Sequence, residues 1–125
     1  LARSQRAYRT ARRRLNTARK QAAHHQDASY AMVAQAMTAF VGDKLNLPTS
    51  GLTREDIRAQ LTSRGVTEPN FDRFLACLEW ADLGRFAPVA AGRGPEALVI
   101  AAEQAIQQLE RALDAGETNG PLERG

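Results

Sequence analysis

The sequence predicts an all-α protein, a single small bundle of about five helices that begins with a long basic helix. Apolar residues recur at helical spacing in several segments, and no useful length of chain shows the alternation that is typical of strands. Short stretches rich in Gly, Pro, Asn and Ser separate these segments. With 125 residues, 43% of them hydrophobic, the chain is long enough for one modest core.

The first segment, residues 2–23, lacks Gly and Pro and is rich in Ala, Arg and Gln, which favour helix. A narrow apolar seam runs along it at seven-residue spacing. The seam consists of Leu1, Tyr8, Leu15 and Ala22, with Ala11 and Ala18 between them. We expect this helix to dock one edge on the core while its charged side chains stay in water.

The second helix is predicted over residues 28–45, as the central helix of the core. His24 and His25 interrupt the first pattern, and Asp27 is predicted as the next N-cap because its carboxylate accepts from free N–H groups. The apolar face of the second helix consists of Tyr30, Val33, Met37, Phe40, Val41 and Leu45.

A turn at residues 46–51 leads to a short third helix. Thr53 and Asp56 resemble a capping box at its start, and Gly65 is predicted to end it in the left-handed conformation. Its buried residues are predicted to be Ile57 and Leu61.

The last two helices are also delimited by their capping residues. Thr67 and Pro69 begin the fourth helix, and residues 83–88 are predicted to leave it. The apolar face of the fourth helix consists of Phe71, Phe74, Leu75 and Leu78. After a loop with Gly92 and Gly94, the fifth helix is predicted from Pro95 to Gly116. Its apolar face consists of Leu98, Ala102, Ala105, Ile106, Leu109 and Leu113.

Positive charge is concentrated at the N-terminal end. Eight of the seventeen basic residues lie within the first twenty positions, and no carboxylate precedes Asp27. The formal charge is +8 for this arm and −5 for the remaining residues, within a net +3. The basic residues of the arm are Arg3, Arg6, Arg9, Arg12, Arg13, Arg14, Arg19 and Lys20. Because like charges repel, so dense a cluster predicts an anionic partner.

Three interpretations of this arm remain open from the residues alone. An anionic membrane surface fits well, because the cytoplasmic flanks of membrane spans carry an excess of Lys and Arg. A nucleic acid is the alternative, although aromatic residues for base stacking do not alternate with the cations. The third is a solvated face without a ligand. No apolar run approaches the roughly 20 residues that span a bilayer, and we expect the chain, which starts at Leu1, to be part of a longer protein.

No constellation of residues predicts catalysis, a cofactor or a metal site. The adjacent His24 and His25 would point about 100° apart on a helix, which does not suit joint metal ligation. Cys77 lies among apolar residues without a base to activate it, so we expect core packing. Gly92-Arg93-Gly94 follows no strand and lacks the Lys-Ser or Lys-Thr of a phosphate loop. We therefore expect a non-enzymatic protein without a small-molecule substrate.

Several motifs between Tyr30 and Pro88 follow the order found in a known family. They are Phe40-Val41-Gly42-Asp43-Lys44-Leu45-Asn46-Leu47-Pro48, Gly51-Leu52-Thr53-Arg54-Glu55-Asp56-Ile57, Gly65, and the corner Asp82…Arg85-Phe86-Ala87-Pro88. In these motifs the chain resembles the C-terminal cytoplasmic region of the BatD family, membrane proteins of oxygen tolerance (aerotolerance). It departs from the family at Asn46, where the family has glycine, and at Trp80-Ala81, where a cysteine usually precedes the aspartate.

The resemblance implies a larger protein with a periplasmic β-sandwich, one transmembrane helix, a basic juxtamembrane helix and this helical domain. It implies the cytoplasmic side of the inner membrane, after a transmembrane helix upstream of this chain. The partners that it implies are von Willebrand factor A proteins and MoxR-type AAA+ ATPases. It transfers no catalytic residue.

Together, the residues and the resemblance predict three parts. They are a basic juxtamembrane helix at 1–26, a helical bundle domain at 27–116 and a flexible tail at 117–125. The predicted function is a non-enzymatic, membrane-proximal scaffold that recruits protein partners. The alternative is a nucleic-acid-binding helical domain that uses the same arm.

A partner-binding surface is predicted from the family-like segments, because they lie where helices end and recognition residues are common. Its residues are Asp43, Lys44, Asp82, Arg85 and Phe86. Asp82 and Arg85 have a second interpretation, an ion pair or cap that holds the following Phe86-Ala87-Pro88 exit in place.

Overall fold

The computed structural model confirms the all-α prediction, since the described residues form five helices and no strand. The structure describes residues 2–86 and 94–124, with side chains described for 5–86 and 94–115. The helices are α1 (Ala2–Gln21), α2 (Gln26–Leu45), α3 (Arg54–Ser63), α4 (Glu68–Phe86) and α5 (Pro95–Arg124). Of the residues singled out in the sequence, those outside the described side chains are Leu1, Arg3, Ala87, Pro88, Gly92, Arg93 and Gly116.

Four helices surround the core, and α3 packs on α4. Around the bundle the order is α1, α2, α4, α5, and α2 also contacts α5 across the centre. The short turn at residues 22–25 folds α2 back along α1. Gly84 near the end of α4 lies on Tyr30 near the start of α2, and Asn70 near the start of α4 lies by Gln108, well inside α5. Neighbouring helices are therefore antiparallel, as in an up-down-up-down bundle.

The predicted apolar faces form the core. Every residue predicted on the apolar faces of α2, α3, α4 and α5 is buried. Phe40 and Phe74 meet there with their ring centroids 6.5 Å apart at 45°, a favourable tilted arrangement. Leu15 and Ala18 of α1 belong to the same cluster, while Tyr8 is half-buried against it. The basic helix is thus one of the four helices around the core.

The predicted capping box at the start of α3 is confirmed. Thr53 Oγ1 accepts from the Asp56 N–H at 3.1 Å, and Asp56 Oδ2 accepts from the Thr53 N–H at 3.0 Å. The hydrogen bonds from the Thr53 backbone and then its side chain lower the pKa of Asp56, because they favour the ionised form. Gly65 follows α3 with a φ of 87°, the left-handed conformation that was predicted for it.

The predicted start of α2 is wrong. The helix begins at Gln26 with His25 as N-cap, and no side chain makes a capping hydrogen bond. Asp27 lies inside the first turn instead, where its charge still favours the positive end of the helix dipole. The connection is held differently: the buried Ser29 hydroxyl donates to the Ala18 carbonyl of α1 at 2.7 Å.

Two predicted helix ends are also wrong, the one at residues 83–88 and the one at Gly116. α4 continues through Gly84 to Phe86, because Gly84 is buried against the Tyr30 ring and allows the two helices to approach closely. The fifth helix continues through Gly116 to Arg124. A glycine inside a helix costs only about 1 kcal/mol relative to alanine, so it need not end one.

Candidate functional site

The first helix presents cations on the side opposite to its buried seam. At 100° per residue, four exposed cations fall within about 60° of one another around the helix axis. These four residues, called the basic face, are Arg6, Arg9, Arg13 and Lys20. Among the described side chains, none of the four forms an ion pair. The basic face is therefore a patch of uncompensated positive charge.

The other cations of the arm are arranged differently. Arg19 binds both carboxylate oxygens of Glu103 on α5, at 3.1 and 3.0 Å. The Arg12 guanidinium lies 5.8 Å from the centre of the Tyr8 ring. Arg14 stands at the edge of α1 that borders a groove described below. The described cations of the N-terminal arm thus do not act as one group: some form the basic face, Arg19 forms an interhelical ion pair, and Arg14 lies on a groove wall.

Lys44, predicted on a partner surface, is engaged inside the bundle. Its Nζ lies 2.6 Å from Glu110 Oε1 and 2.8 Å from Asp114 Oδ1, and its side chain is 4% exposed. Burial lowers the pKa of Lys44, but the hydrogen bonds and charges of Asp114 and Glu110 outweigh it and raise the pKa overall. This partly buried ion cluster joins the end of α2 to α5, whereas the adjacent Asp43 is exposed.

The predicted corner at the end of α4 has other partners than expected. Asp82 pairs with Arg54 of α3 at 2.9 Å, in place of the expected Asp82–Arg85 pair. The Arg85 guanidinium instead lies 5.0 Å from the centre of the Phe86 ring. Phe86 is 78% exposed. This end of the bundle therefore presents an exposed aromatic ring beside charged groups.

The predicted partner-binding residues do not form one surface. Asp43 and Lys44 lie at the C-terminal end of α2. The segment 82–86 ends α4, which packs on Tyr30 near the start of α2. Fourteen residues of α2 separate Tyr30 from Lys44, or about 20 Å along the helix. The two halves of the predicted surface are thus at opposite ends of the bundle.

A groove of about 1290 Å³, which no sequence pattern indicated, lies between α1, α2, α4 and the start of α3. Its floor follows the outward side of α2. The floor residues are Met32, Gln35, Thr38 and Ala39. One wall is formed on α1, and the other is formed by α4 together with residues 49–58, which include the start of α3. The wall residues include Arg14 and Thr17 on α1, and Asp72, Leu75, Ala76, Glu79, Asp82 and Arg85 on α4.

The residues considered for catalysis or metal binding are dispersed. His24 and His25 are exposed in the turn after α1, and Cys77 is a buried free thiol within α4. Within residues 2–86 and 94–124, no group of three His, Cys, Asp or Glu side chains is placed to hold a metal ion.

None of the described helices is both long enough and apolar enough to cross a bilayer. No known protein family matches this chain, and no curated protein or solved structure matches it either.

Proposed function

We propose that this chain is the membrane-proximal, cytoplasmic interaction domain of a BatD-like membrane protein and is not an enzyme. The observation that carries the proposal is the basic face, four exposed cations on a helix whose opposite side is packed in the core. The resemblance in the motifs from Tyr30 to Pro88 supports the same location, because it implies a transmembrane helix before this domain.

The expected membrane attraction is electrostatic, because the apolar seam of α1 is not available to lipid. Ala7, Ala11 and Leu15 are all buried in the bundle. Helices that insert into the interface require an exposed apolar face. The basic face would therefore lie on the headgroups without penetrating the acyl region. Its binding should weaken as salt is added, because salt shortens the screening length, which is about 8 Å at physiological ionic strength.

The size of this attraction suits an orienting role. Each basic residue near an anionic leaflet contributes about 1 kcal/mol, so the four residues of the basic face contribute up to about 4 kcal/mol. Alone, that corresponds to a Kd of roughly 1 mM. A domain already tethered by a transmembrane helix would be held at the surface by such an attraction, whereas a free domain would bind weakly.

Co-sedimentation with vesicles tests the proposal. The chain should bind vesicles containing phosphatidylglycerol, bind neutral phosphatidylcholine vesicles much less, and dissociate as salt is raised. Arg9→Gln with Arg13→Gln should weaken binding by about 2 kcal/mol, or roughly 30-fold. The matched control, Arg73→Gln with Arg111→Gln, removes the same charge from exposed positions on α4 and α5. Equal effects of the two double variants would mean that vesicle binding depends on net charge alone, which would contradict a specific role for the basic face.

The nucleic-acid alternative uses the same cations, and binding measurements with the same protein distinguish it from the membrane proposal. Random duplex DNA and anionic vesicles are compared at matched salt. The membrane proposal expects vesicles to be preferred, since the described part of α1 offers only the half-buried Tyr8 as an aromatic residue for base stacking. Much tighter binding to DNA, lost in the Arg9 and Arg13 double variant, would establish the alternative.

The proposed protein partners, von Willebrand factor A and MoxR-type AAA+ proteins, come from the resemblance. Asp82 and Arg85 are the residues to change first, because both line the groove. The Asp82–Arg54 pair is about half exposed, and such pairs contribute about 0–1 kcal/mol. Asp82→Ala should therefore leave melting nearly unchanged while weakening capture of the partner. Loss of stability without loss of capture would assign a purely structural role to Asp82.

A further inference from the structure

The groove between α1, α2 and α4 exceeds the usual size of small-molecule sites. Its volume of about 1290 Å³ compares with about 300–1,000 Å³ for typical ligand pockets. Along α4 the wall extends from Asp72 to Arg85, which is thirteen residues or about 20 Å of helix. That length corresponds to about three to four turns of an α-helix.

The apolar part of the groove lies at its floor. Met32 and Ala39 are only half-buried there, and Ala76 on the α4 wall is exposed. Methionine is flexible and polarizable, and it is frequent on surfaces that accept helices of varied sequence. An amphipathic helix binds such a groove by laying its apolar stripe along the floor.

The two walls differ in their unpaired charges. Arg14 stands on the α1 wall, and among the described side chains it has no carboxylate partner. On the opposite wall, Asp72 and Glu79 form no ion pair within the same described set. That wall also carries Arg85, which lies on the Phe86 ring, and Arg54 and Arg58, which pair with carboxylates, so its unpaired acidic stretch is the part from Asp72 to Glu79. A bound helix would present one edge to each wall, so a complementary helix carries acidic residues on one edge and basic residues on the other.

We propose that this groove binds an amphipathic α-helix of a protein partner, about three to four turns long, with a basic and an acidic edge flanking its apolar stripe. The inference rests on the proposed role in protein interaction, but it does not depend on membrane binding. A helix reversed end to end exchanges its two edges, so either order of the edges can fit the groove, and the order sets the direction in which the helix binds.

The two methionines provide a direct readout, because the chain contains only Met32 and Met37. Met32 lies in the groove floor, whereas Met37 is fully buried in the core. Protein labelled with ¹³C at the methionine methyl groups therefore gives one signal from the groove and one internal control.

Three designed helical peptides of about four turns serve as probes. All share a leucine stripe: one has Lys on one edge and Glu on the other, one has Lys on both edges, and one has Glu on both. The mixed-edge peptide should shift the Met32 signal, leave the Met37 signal in place, and bind at least about ten-fold more tightly than either of the others.

Substitutions in the walls should change this preference in a defined way. Arg14→Glu makes both walls acidic, so the peptide with two Lys edges should become the tightest binder. Arg73→Glu makes the same charge change outside the groove and should leave the order unchanged. Ala76→Trp fills the groove and should weaken the mixed-edge peptide about ten-fold, unlike Ala59→Trp at an exposed position of α3 outside the lining.

The proposal is overturned if Met32 responds to none of the peptides up to about 1 mM, if the three bind equally, or if Arg14→Glu leaves their order unchanged. A Met32 response to phosphatidylglycerol vesicles instead of peptides would assign the groove to the membrane and also overturn it. Failure of vesicle co-sedimentation with the Met32 response intact would remove the membrane role alone. Vesicle binding without a Met32 response to any peptide would remove the groove proposal alone.

Discussion

Replacing Lys44 with Met tests the partly buried ion cluster that joins α2 to α5. The Lys44 ammonium lies 2.6 Å from Glu110 and 2.8 Å from Asp114, and its side chain is 4% exposed. Methionine keeps an unbranched apolar stem but removes the charge. Lys44→Met therefore leaves two carboxylates close together with no cation between them, which is unfavourable in a partly buried site.

The expected loss lies between two limits. Breaking an exposed ion pair costs about 0–1 kcal/mol, and removing one partner of a fully buried pair costs about 3–5 kcal/mol. The Glu110 side chain is 13% exposed and that of Asp114 is 49% exposed, so this site is intermediate. We expect Lys44→Met to lower the free energy of unfolding by about 2–3 kcal/mol and the Tm by roughly 8–12 °C.

Urea unfolding followed by far-UV circular dichroism measures the loss. Glu110→Gln in the Lys44→Met background removes one of the two repelling charges, and it should recover at least half of the lost stability. A loss below about 1 kcal/mol, or no recovery in the double variant, would refute the reasoning. Either result would mean that water screens the cluster and that the three groups do not act together.

The same cluster has a signature in pH. Its hydrogen bonds and charges, acting against burial, raise the pKa of Lys44 in the folded protein above the unfolded value of about 10.4. The contribution of the ion cluster to the free energy of unfolding is therefore fully present below about pH 10.4, and it is lost as the pH rises through the pKa of Lys44 in the folded protein. The difference in stability between the native protein and Lys44→Met should be constant around neutral pH and should shrink in strongly alkaline solution.

Three further substitutions test packing and capping by urea unfolding. Phe40→Ala should cost about 3–5 kcal/mol, because the ring is buried against Phe74; a loss below about 1 kcal/mol would contradict its burial. Gly84→Ala should cost about 1–3 kcal/mol, because the added Cβ would overlap the buried Tyr30 ring; increased stability would contradict this close approach. Thr53→Ala should cost about 1 kcal/mol at neutral pH. The other half of the box, in which Asp56 Oδ2 accepts from the Thr53 N–H, should weaken as acid protonates that carboxylate, and this occurs below the usual range of an aspartate because the pKa of Asp56 is lowered.

The sequence predicted the helices and their buried faces because both depend on local periodicity. The faces of α2 and α5 repeat every three or four residues, and their predicted members are all buried. The capping box at Thr53 and the left-handed Gly65 were also predictable, because each satisfies the needs of its own helix end. Such features involve residues a few positions apart, and spacing along the chain is enough to find them.

Other features depend on contacts that are distant in sequence. Residues 83–88 were predicted to leave α4, but Gly84 is a packing position against the Tyr30 ring of another helix. Lys44 is a polar residue at a helix end, and only the approach of α5 turns it into the centre of an ion cluster. The groove is a further case, because its walls belong to helices that meet only in three dimensions. Periodicity shows which side of a helix is apolar, but it does not show which helix will face it.

The basic face and the groove meet on one helix, so membrane binding and helix binding, as proposed, would be thermodynamically linked. Arg13 belongs to the basic face, and the next residue, Arg14, forms the α1 wall of the groove. An anionic membrane on the basic face would lower the positive potential at Arg14, because neighbouring side chains lie within the screening length of about 8 Å. The acidic edge of a bound helix would then be held less strongly, and by reciprocity the bound helix would weaken the attraction to lipid. A partner helix would therefore bind more tightly to a domain that has left the membrane surface than to one lying on it.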